Sequence, residues 1–419
     1  MKQNNFIFTA IATVALFTGS VVSVVAQAHT KEEIFKMKSP EWEAQKKQIK
    51  TVDLVGKTQR VIIAEGASSK VDTKKQNYHA HPTTVMTNDG EIYCVWNIGH
   101  GGNAKPLAKT LDGGKTWQRI DEIMPPCYSL FRNCPSIYKI TDKQGKERLF
   151  VLAQRTRALW GVPKGEENYK GYMPRVRSED GGKTWQKLSP LGEMSIKSPF
   201  ECVMTFSSMV QLKDGSTLGV FHRGRGGKDS KILSVLQSKT EDGGLTWSTP
   251  TVICNGDDIG KLAPCEPYVF RSPDGNELCC IMRENTRKNG TSLVMFSKDE
   301  GKTWSKPIDT PWALSGDRHQ GIYLPDGRLF IVFRNQVPID RRKPLHFAGW
   351  IGTYDDIKKG KAGQYRILLS KSYNGDGYYQ GIHQLNDGTI VITTYESVKQ
   401  AHHCSVVCHR IKLADIEKQ

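Results

Sequence analysis

Four copies of one eight-residue pattern constrain this chain more than any other feature. Thr110-Leu-Asp-Gly-Gly-Lys-Thr-Trp117, Ser178-Glu-Asp-Gly-Gly-Lys-Thr-Trp185, Thr240-Glu-Asp-Gly-Gly-Leu-Thr-Trp247 and Ser297-Lys-Asp-Glu-Gly-Lys-Thr-Trp304 all read S/T-x-D-x-G-x-T-W, with aspartates 68, 62 and 57 residues apart. Each predicts a hairpin: Asp and Gly supply the turn, the Asp side chain accepts backbone N–H groups, and the Trp packs the turn onto its sheet. A second repeat interleaves with the first. Asp89-Gly90, Gln144-Gly145, Asp214-Gly215, Asp274-Gly275, Asp326-Gly327 and Asp387-Gly388 each precede an alternating β-branched or aromatic run that ends on a polar residue. Six units of roughly 60 residues, each a strand, a turn, a strand and a hairpin, predict an all-β fold, a six-bladed β-propeller of four-stranded blades.

One propeller then accounts for residues 51–419. Within Val52–Glu65, the run Arg60-Val-Ile-Ile-Ala64 is strand-like and is expected to add an outer strand to the last blade, closing the ring. Residues 29–50 form a charged N-terminal segment of helical character. In blades five and six the hairpin pattern decays, to Thr353-Tyr-Asp-Asp356 and Ser372-Tyr-Asn-Gly-Asp376.

Residues 1–28 read as Lys2, an apolar stretch from Phe6 through Val25, and small residues ending Ala26-Gln27-Ala28, the pattern of a signal peptide cut after Ala28. No later segment approaches the roughly 20 apolar residues of a membrane span. The expectation is an exported protein, periplasmic or secreted. All ten cysteines lie beyond the cut, and an oxidising compartment permits disulfides. Basic residues outnumber acidic ones by 59 to 43, a net charge of +16, which favours acidic partners. For an exported chain without a recognised nucleic-acid module those are acidic glycans rather than nucleic acid. No Gly-rich phosphate loop joins a strand to a helix, and Arg223-Gly-Arg-Gly-Gly227 follows a strand into a loop. Cys404-x3-Cys408 lacks a second pair at zinc-site spacing, and Asp257-Asp258 and Asp355-Asp356 read as solvated loop pairs. Neither a cofactor nor a metal is expected.

Innermost strands line a propeller's axis, so equivalent positions in successive repeats form a ring. Eight residues before the turn aspartate lie His81, Phe206, Glu266, Arg318 and Tyr379 in blades one, three, four, five and six. The polar ends of the second strands add Asn97, Arg155, Arg223, Arg283, Arg334 and Glu396. Packing alone does not ask for four arginines at one structural position. Guanidinium groups gathered at strand ends repel unless an anion is shared among them, and bidentate carboxylate recognition is what arginine does best. Glu266 and Tyr379 make a more pointed pair, because a carboxylate beside a phenol accepts its proton and makes it nucleophilic.

In these motifs the chain resembles the exo-α-sialidase (neuraminidase) superfamily, whose six-bladed propeller carries the same aspartate boxes, over residues from about 75 to about 410. The resemblance implies a retaining glycoside hydrolysis with a tyrosine nucleophile, the sialidase exception among glycosidases. Cys265-Glu-Pro-Tyr268 is similar to the segment holding the catalytic glutamate, which makes Glu266 the base, and Arg283 one strand later is a carboxylate clamp. Gly377-Tyr-Tyr379 is similar to the nucleophile's segment, and the spacing to Asp387-Gly388 selects Tyr379 over Tyr378. A blade-five arginine, Arg334 or the later Arg341 or Arg342, is a second clamp. Arg318 and His319 are ring candidates that the family does not predict.

Two departures stand out. The family's first arginine, in an Arg-Ile-Pro tripeptide, is replaced by Ala80-His81-Pro82, and its aspartate acid/base is absent from Gly99-His-Gly-Gly-Asn103. Another proton donor is then required: His81, His100 or His319, with His81 favoured by its ring position. The leading expectation is an exo-glycoside hydrolase that releases terminal sialic acid or a related 2-keto sugar acid. The alternatives are a polysaccharide lyase acting on uronates and a glycan-binding propeller without catalysis.

Overall fold

The computed structural model describes residues 7–8, 28–66, 78–156, 172–191, 202–224, 232–336, 346–371, 373, 376–397 and 403–419. The predicted leader, residues 1–28, lies outside them save Ile7–Phe8 and Ala28, and Arg341 and Arg342 lie outside them altogether.

Six sheets follow one another along the chain. Blade 1 comprises His79–Met86, Ile92–Ile98, Asn103–Thr110 and Gln118–Arg119; blade 2, Ser136–Thr141, Glu147–Leu152, Met173–Ser178 and Gln186–Leu191; blade 3, Ser208–Gln211, Thr217–Gly224, Leu233–Thr240 and Thr251–Asn255. Blade 4 is built from Pro264–Arg271, Leu278–Glu284, Leu293–Ser297 and Ile308–Asp309, and blade 5 from Gly316–Tyr323, Leu329–Asn335, His346–Gly352 and Tyr365–Lys371. Blade 6 takes Gly377–Gln384, Ile390–Glu396 and Ser405–Ile411, and its fourth strand comes from the other end of the chain: Gln59–Ala64 pairs antiparallel with Ser405–Ile411. Lys50–Asp53 adds a parallel strand to Tyr365–Lys371, covering the open edge of blade 5. Ahead of it, helix Lys31–Gln48 begins at a Thr30/Glu33 capping box and buries Trp42. Gln45 ties the helix to the ring, donating to the Gly360 carbonyl (3.0 Å) and accepting from the Trp312 amide (2.8 Å).

The four hairpins share one set of hydrogen bonds. Thr110 Oγ1 donates to Asp112 (2.8 Å) and accepts from the Gly114 amide (2.9 Å), while Asp112 accepts from the Thr116 amide (2.9 Å) and hydroxyl (2.6 Å). The equivalent Ser178/Asp180/Thr184, Thr240/Asp242/Thr246 and Ser297/Asp299/Thr303 sets repeat it. Each turn docks on the blade before its own. A Cβ on Gly182 would lie 2.6 Å from Tyr93 of blade 1, on Gly244 2.7 Å from Phe150 of blade 2, and on Gly301 2.9 Å from Leu218 of blade 3. A positive φ and that close approach together require glycine there.

Blades 5 and 6 solve the same problem with helices. Thr353 and Asp356 cap helix Tyr354–Lys358, whose Tyr354 hydroxyl donates to Glu277 of blade 4 (2.9 Å). In blade 6 the corresponding element is helix Leu413–Glu417, and Glu417 pairs with Arg328 of blade 5 (2.7 Å). The expected hairpin at Ser372-Tyr-Asn-Gly-Asp376 lies mostly outside the described residues, but its place in the chain is fixed by its neighbours. The outer strand of blade 5 ends at Lys371 and the inner strand of blade 6 begins at Gly377, which puts Asp376 at the mouth of the axis.

Inner strands of all six blades line an axial channel of about 630 Å³ whose lining reaches Arg318 and Gln380 at one end. Beyond that end four inner strands bulge, between Ala80 and Thr83, Cys265 and Tyr268, Asp317 and Gln320, and Gly377 and Gln380. In each bulge a non-glycine residue takes the left-handed region: His81 (φ 53°), Glu266 (φ 48°), Arg318 (φ 53°) and Tyr378 (φ 73°). Such a conformation costs on the order of 1–3 kcal/mol per residue, and its fourfold recurrence around one axis marks a site. Among the described residues, Cys94, Cys127, Cys134, Cys254, Cys265, Cys279, Cys280 and Cys408 are free thiols.

Candidate active site at the axial mouth

The bulges bring Tyr379 and Glu266 into contact across the axis. The Tyr379 hydroxyl donates to Glu266 Oε1, and both side chains are buried. The bulge of blade 6 is offset by one residue, so Tyr378 takes the strained backbone and stacks in the core on Phe347 (5.3 Å between centroids) while Tyr379 reaches the axis. Arg283 donates from Nη1 to the same Glu266 oxygen (3.0 Å), leaving Oε2 buried with no partner. Burial pushes the Glu266 carboxyl up, but Arg283 and Arg334 outweigh that and hold it below the usual range. Burial and the Glu266 anion raise the Tyr379 phenol well above its ordinary value. The resting pair is a neutral phenol on a carboxylate.

Arginines gather as the ring position predicts, around a residue that the counting passes over by one. Asp317 is 0% exposed and accepts Arg287 (2.7 and 2.9 Å), Arg334 Nε (2.9 Å) and Gln336 (2.8 Å), with Arg283 Nε at 3.1 Å. Its carboxyl lies far below the ordinary value: burial opposes ionisation, but three guanidinium groups overcome it. In register Asp317 faces Arg334 just as Cys265 faces Arg283. A carboxylate immediately before the ring residue Arg318 was the signal in the sequence. Arg318 and Arg334 each stand 5.5 Å from the Tyr379 ring, and Arg318 Nε is buried without a hydrogen bond.

His81 lies against Tyr379 (4.8 Å between ring centroids) and Tyr395 (5.3 Å). Asn97 gives its Nδ2 to the Gly99 carbonyl, so its Oδ1 must accept His81 Nδ1–H (3.0 Å), which leaves Nε2 as an acceptor. Burial, with His100 and Arg334 nearby, lowers His81 to about 4. In that state it is a neutral ring with Nε2 as its acceptor. His319 follows the left-handed residue of its bulge, turns into blade 5, donates from Nε2 to the Leu314 carbonyl (2.8 Å) and packs on Phe333. It does not face the mouth.

Two further arginines of the predicted ring are placed by their backbone alone. Arg155 lies past the end of Glu147–Leu152, in a two-residue strand that pairs with Phe131–Arg132 on the sheet of blade 1, and its side chain lies outside the described residues. Arg223 is buried at the end of the second strand of blade 3, in register with Val203. Glu396 instead closes the ring, bound to Arg60 of the N-terminal strand (2.6 Å) and to Ser370. Asp376 is the residue that the sequence reading placed elsewhere. It accepts from Tyr78 and from Tyr395 (3.0 Å), and His100 bonds to it at 2.9 Å.

The fold, the family match and the similar relatives mark a divergent propeller of the sialidase superfamily, with glycosidases among its structural neighbours. The chain belongs to the BNR repeat-like domain family, whose model matches residues 112–403. It is similar, at 24% identity over 247 residues, to a sialidase of Bacteroides fragilis (strain YCH46); the match takes in 54% of this chain and 42% of that protein, under half of the relative's length. Among solved structures it is similar to an α-L-arabinofuranosidase of Fusarium graminearum in complex with an iminosugar inhibitor, with a TM-score of 0.60, 15% identity, and coverage of 86% of this chain and 100% of that one. It is also similar to the intramolecular trans-sialidase of Ruminococcus gnavus in complex with oseltamivir carboxylate, at a TM-score of 0.54, 14% identity, and coverage of 84% and 98%. Among the described residues no helix is long and apolar enough to cross a membrane.

Proposed function

We propose that the protein is an exo-acting glycoside hydrolase of the sialidase type that removes terminal sialic acid, or a related 2-keto sugar acid, from glycans. The observation that carries this reading is the Tyr379–Glu266 hydrogen bond, set among Arg283, Arg318 and Arg334. Tyr379 attacks the anomeric carbon and passes its proton to Glu266 as the new C–O bond forms. A neutral phenol suits a carbon that bears a carboxylate, because it approaches without the repulsion of a second anion. His81 walls one face of the Tyr379 ring, and Arg318 and Arg334 attract the developing phenolate. The B. fragilis sialidase likeness supports the substrate class, and export, expected from residues 1–28, would bring the enzyme to extracellular glycans.

Asp317 favours a second reading. It already occupies the fork of Arg287 and Nε of both Arg283 and Arg334, while Arg283 spends Nη1 on Glu266 and Nη2 on Asn285. With Arg283 and Arg287 engaged from within, the mouth suits a neutral terminal sugar held by hydrogen bonds. One experiment separates the two: incubation of the purified protein with sialylated mucin-type glycans and with arabinose-terminated oligosaccharides, followed by chromatography of released sugar and an ultraviolet scan. Free sialic acid supports the first reading, and free neutral sugar alone supports the second. An unsaturated product, or retention without release, overturns both.

A further inference from the structure

The mouth holds one histidine whose surroundings are those of a proton donor. Gly99, His100, Gly101 and Gly102 form a tight turn closed by the Gly102 amide on the Gly99 carbonyl (3.0 Å), with His100 at its tip. The turn is fixed at both ends: the Gly99 amide donates to the Tyr78 carbonyl (2.6 Å), and the Asn133 amide to the Gly102 carbonyl (3.0 Å). A side chain on Gly102 would strike the Ile98 carbonyl, and Gly99 and Gly101 both need positive φ, so this glycine-rich loop is a built mount and not a slack linker. His100 Nδ1 meets Asp376 Oδ2 at 2.9 Å, and its side chain is 64% exposed at the mouth. Its ring stands 4.8 Å from His81, which in turn stands 4.8 Å from Tyr379.

We propose that His100, oriented by Asp376, is the general acid and base of the reaction, working through Nε2. This rests on the hydrolase reading above. The Nδ1–H···carboxylate bond fixes the ring and leaves Nε2 free to face a substrate. In the first half of the reaction the Nε2 proton moves to the glycosidic oxygen as that oxygen leaves the anomeric carbon, while the Tyr379 oxygen bonds to the carbon and its proton goes to Glu266. In the second half neutral Nε2 takes a proton from water, the water oxygen bonds to the carbon, the tyrosyl bond breaks, and Glu266 returns the proton to Tyr379. Both protons are restored and one glycosidic bond is hydrolysed.

The charged groups around His100 agree with this role. The hydrogen bond to Asp376 raises its ordinary value, against partial burial and the Arg334 cation. Burial pushes the Asp376 carboxyl up, but hydrogen bonds from His100 and Tyr78 outweigh it and keep the carboxylate ionised. His81, lowered to about 4, adds no competing charge near neutral pH.

Two measurements on the full chain test the dyad. The first compares His100→Gln with wild type on sialyllactose, whose leaving group needs protonation, and on an aryl sialoside such as the 4-nitrophenyl glycoside, whose leaving group does not. The expected result is a loss of about a hundredfold or more on sialyllactose, with the basic limb of the pH profile abolished, and a loss of under about tenfold on the aryl glycoside. Equal losses on both, or an unchanged basic limb, overturn the assignment. The second follows the His100 ring by NMR from pH 4 to 9, in wild type and in Asp376→Asn. A midpoint above the ordinary histidine value that falls in the variant supports the dyad; a wild-type midpoint at or below the ordinary value overturns it. If wild type cleaves neither glycoside, the sialic-acid reading fails while the titration still decides whether the dyad exists.

Discussion

At the rim, Asp112, Asp180, Asp242 and Asp299 repeat one solution: each carboxylate answers the amide and hydroxyl of the turn threonine within eight residues, and the glycine of each turn docks on the blade before its own. At the axial mouth the same fold repeats a geometry but not a chemistry. The bulges recur, yet they carry His81, Glu266, Arg318 and Tyr378-Tyr379, and buried Glu266 Oε2, Arg318 Nε and Gln380 Oε1 are left without hydrogen bonds. A rim turn built this way would be a defect, since an unanswered buried polar group costs about 1–3 kcal/mol. At the mouth, strain and unmet hydrogen bonds mark groups held ready for a ligand. Where the repeats agree they build the ring, and where they diverge they build the site.

The largest effect expected from this contrast is on turnover. Tyr379→Phe and Glu266→Gln should each lower the rate of sugar release about a thousandfold or more, with thermal melting close to wild type, because each removes one end of a hydrogen bond and leaves the ring packing in place. Turnover near wild type in both variants would make the mouth a packing feature like the rim. Next is Asp317→Asn, which leaves Arg283, Arg287 and Arg334 without their shared anion. Breaking a buried ion network by removing one partner should cost about 3–5 kcal/mol in urea denaturation, whereas Asp112→Asn at the rim should cost much less.

A finer comparison lies within one turn. Gly182→Ala places a methyl 2.6 Å from Tyr93 at a φ of 96°, while Gly181→Ala meets nothing within 4 Å at a φ of 73°. Both variants bear backbone strain, but only the first should also loosen the interface of blades 1 and 2. A stability loss of about 1–3 kcal/mol is expected for Gly182→Ala, and a visibly smaller one for Gly181→Ala. Equal losses would show that the turn does not staple the blades.

The smallest effect separates the two regions by pH. Burial lowers His81, His222 and His319 to about 4, so between the ordinary histidine value and about pH 4 the unfolded chain takes up protons that the folded chain refuses. Stability falls with pH across that window. At the rim, burial would raise Asp112 and Asp180, but hydrogen bonds from Thr116 and Thr184 outweigh it and hold both at about 2. Their contribution is complete above the ordinary carboxylate range and is lost as pH falls through about 2. Urea midpoints measured from pH 7 to pH 2 should therefore decline in two stages, with His81→Gln flattening only the first.

The rim was legible in the sequence because its chemistry is local. Turn, acceptor and tryptophan lie within eight residues, and the closing strand around Arg60–Ala64 follows from β-branched alternation. The mouth was legible only as far as the repeat register reached. Counting back from the turn reached Glu266, Arg318 and Tyr379, with the spacing to Asp387-Gly388 selecting Tyr379 over Tyr378, and the structure brings the Tyr379 hydroxyl onto Glu266. It passed over Asp317 because a bulge presents residues one position apart to opposite sides. It misplaced Asp376 because a carboxylate near glycine looks like a turn until the strands around it are known. The direction of His319 into blade 5 escaped it for the same reason, since where a bulge sends the chain is not encoded by adjacent residues.

The central claim is that Tyr379 forms a bond to the sugar. Its most direct test is to incubate the full chain with a 2,3-difluorinated sialic acid, which slows turnover of a covalent intermediate, and to map the modified peptide by mass spectrometry. An adduct on Tyr379, absent in Tyr379→Phe, is the predicted result. An adduct on Glu266, or sialic acid release from sialyllactose without any covalent species, would contradict it.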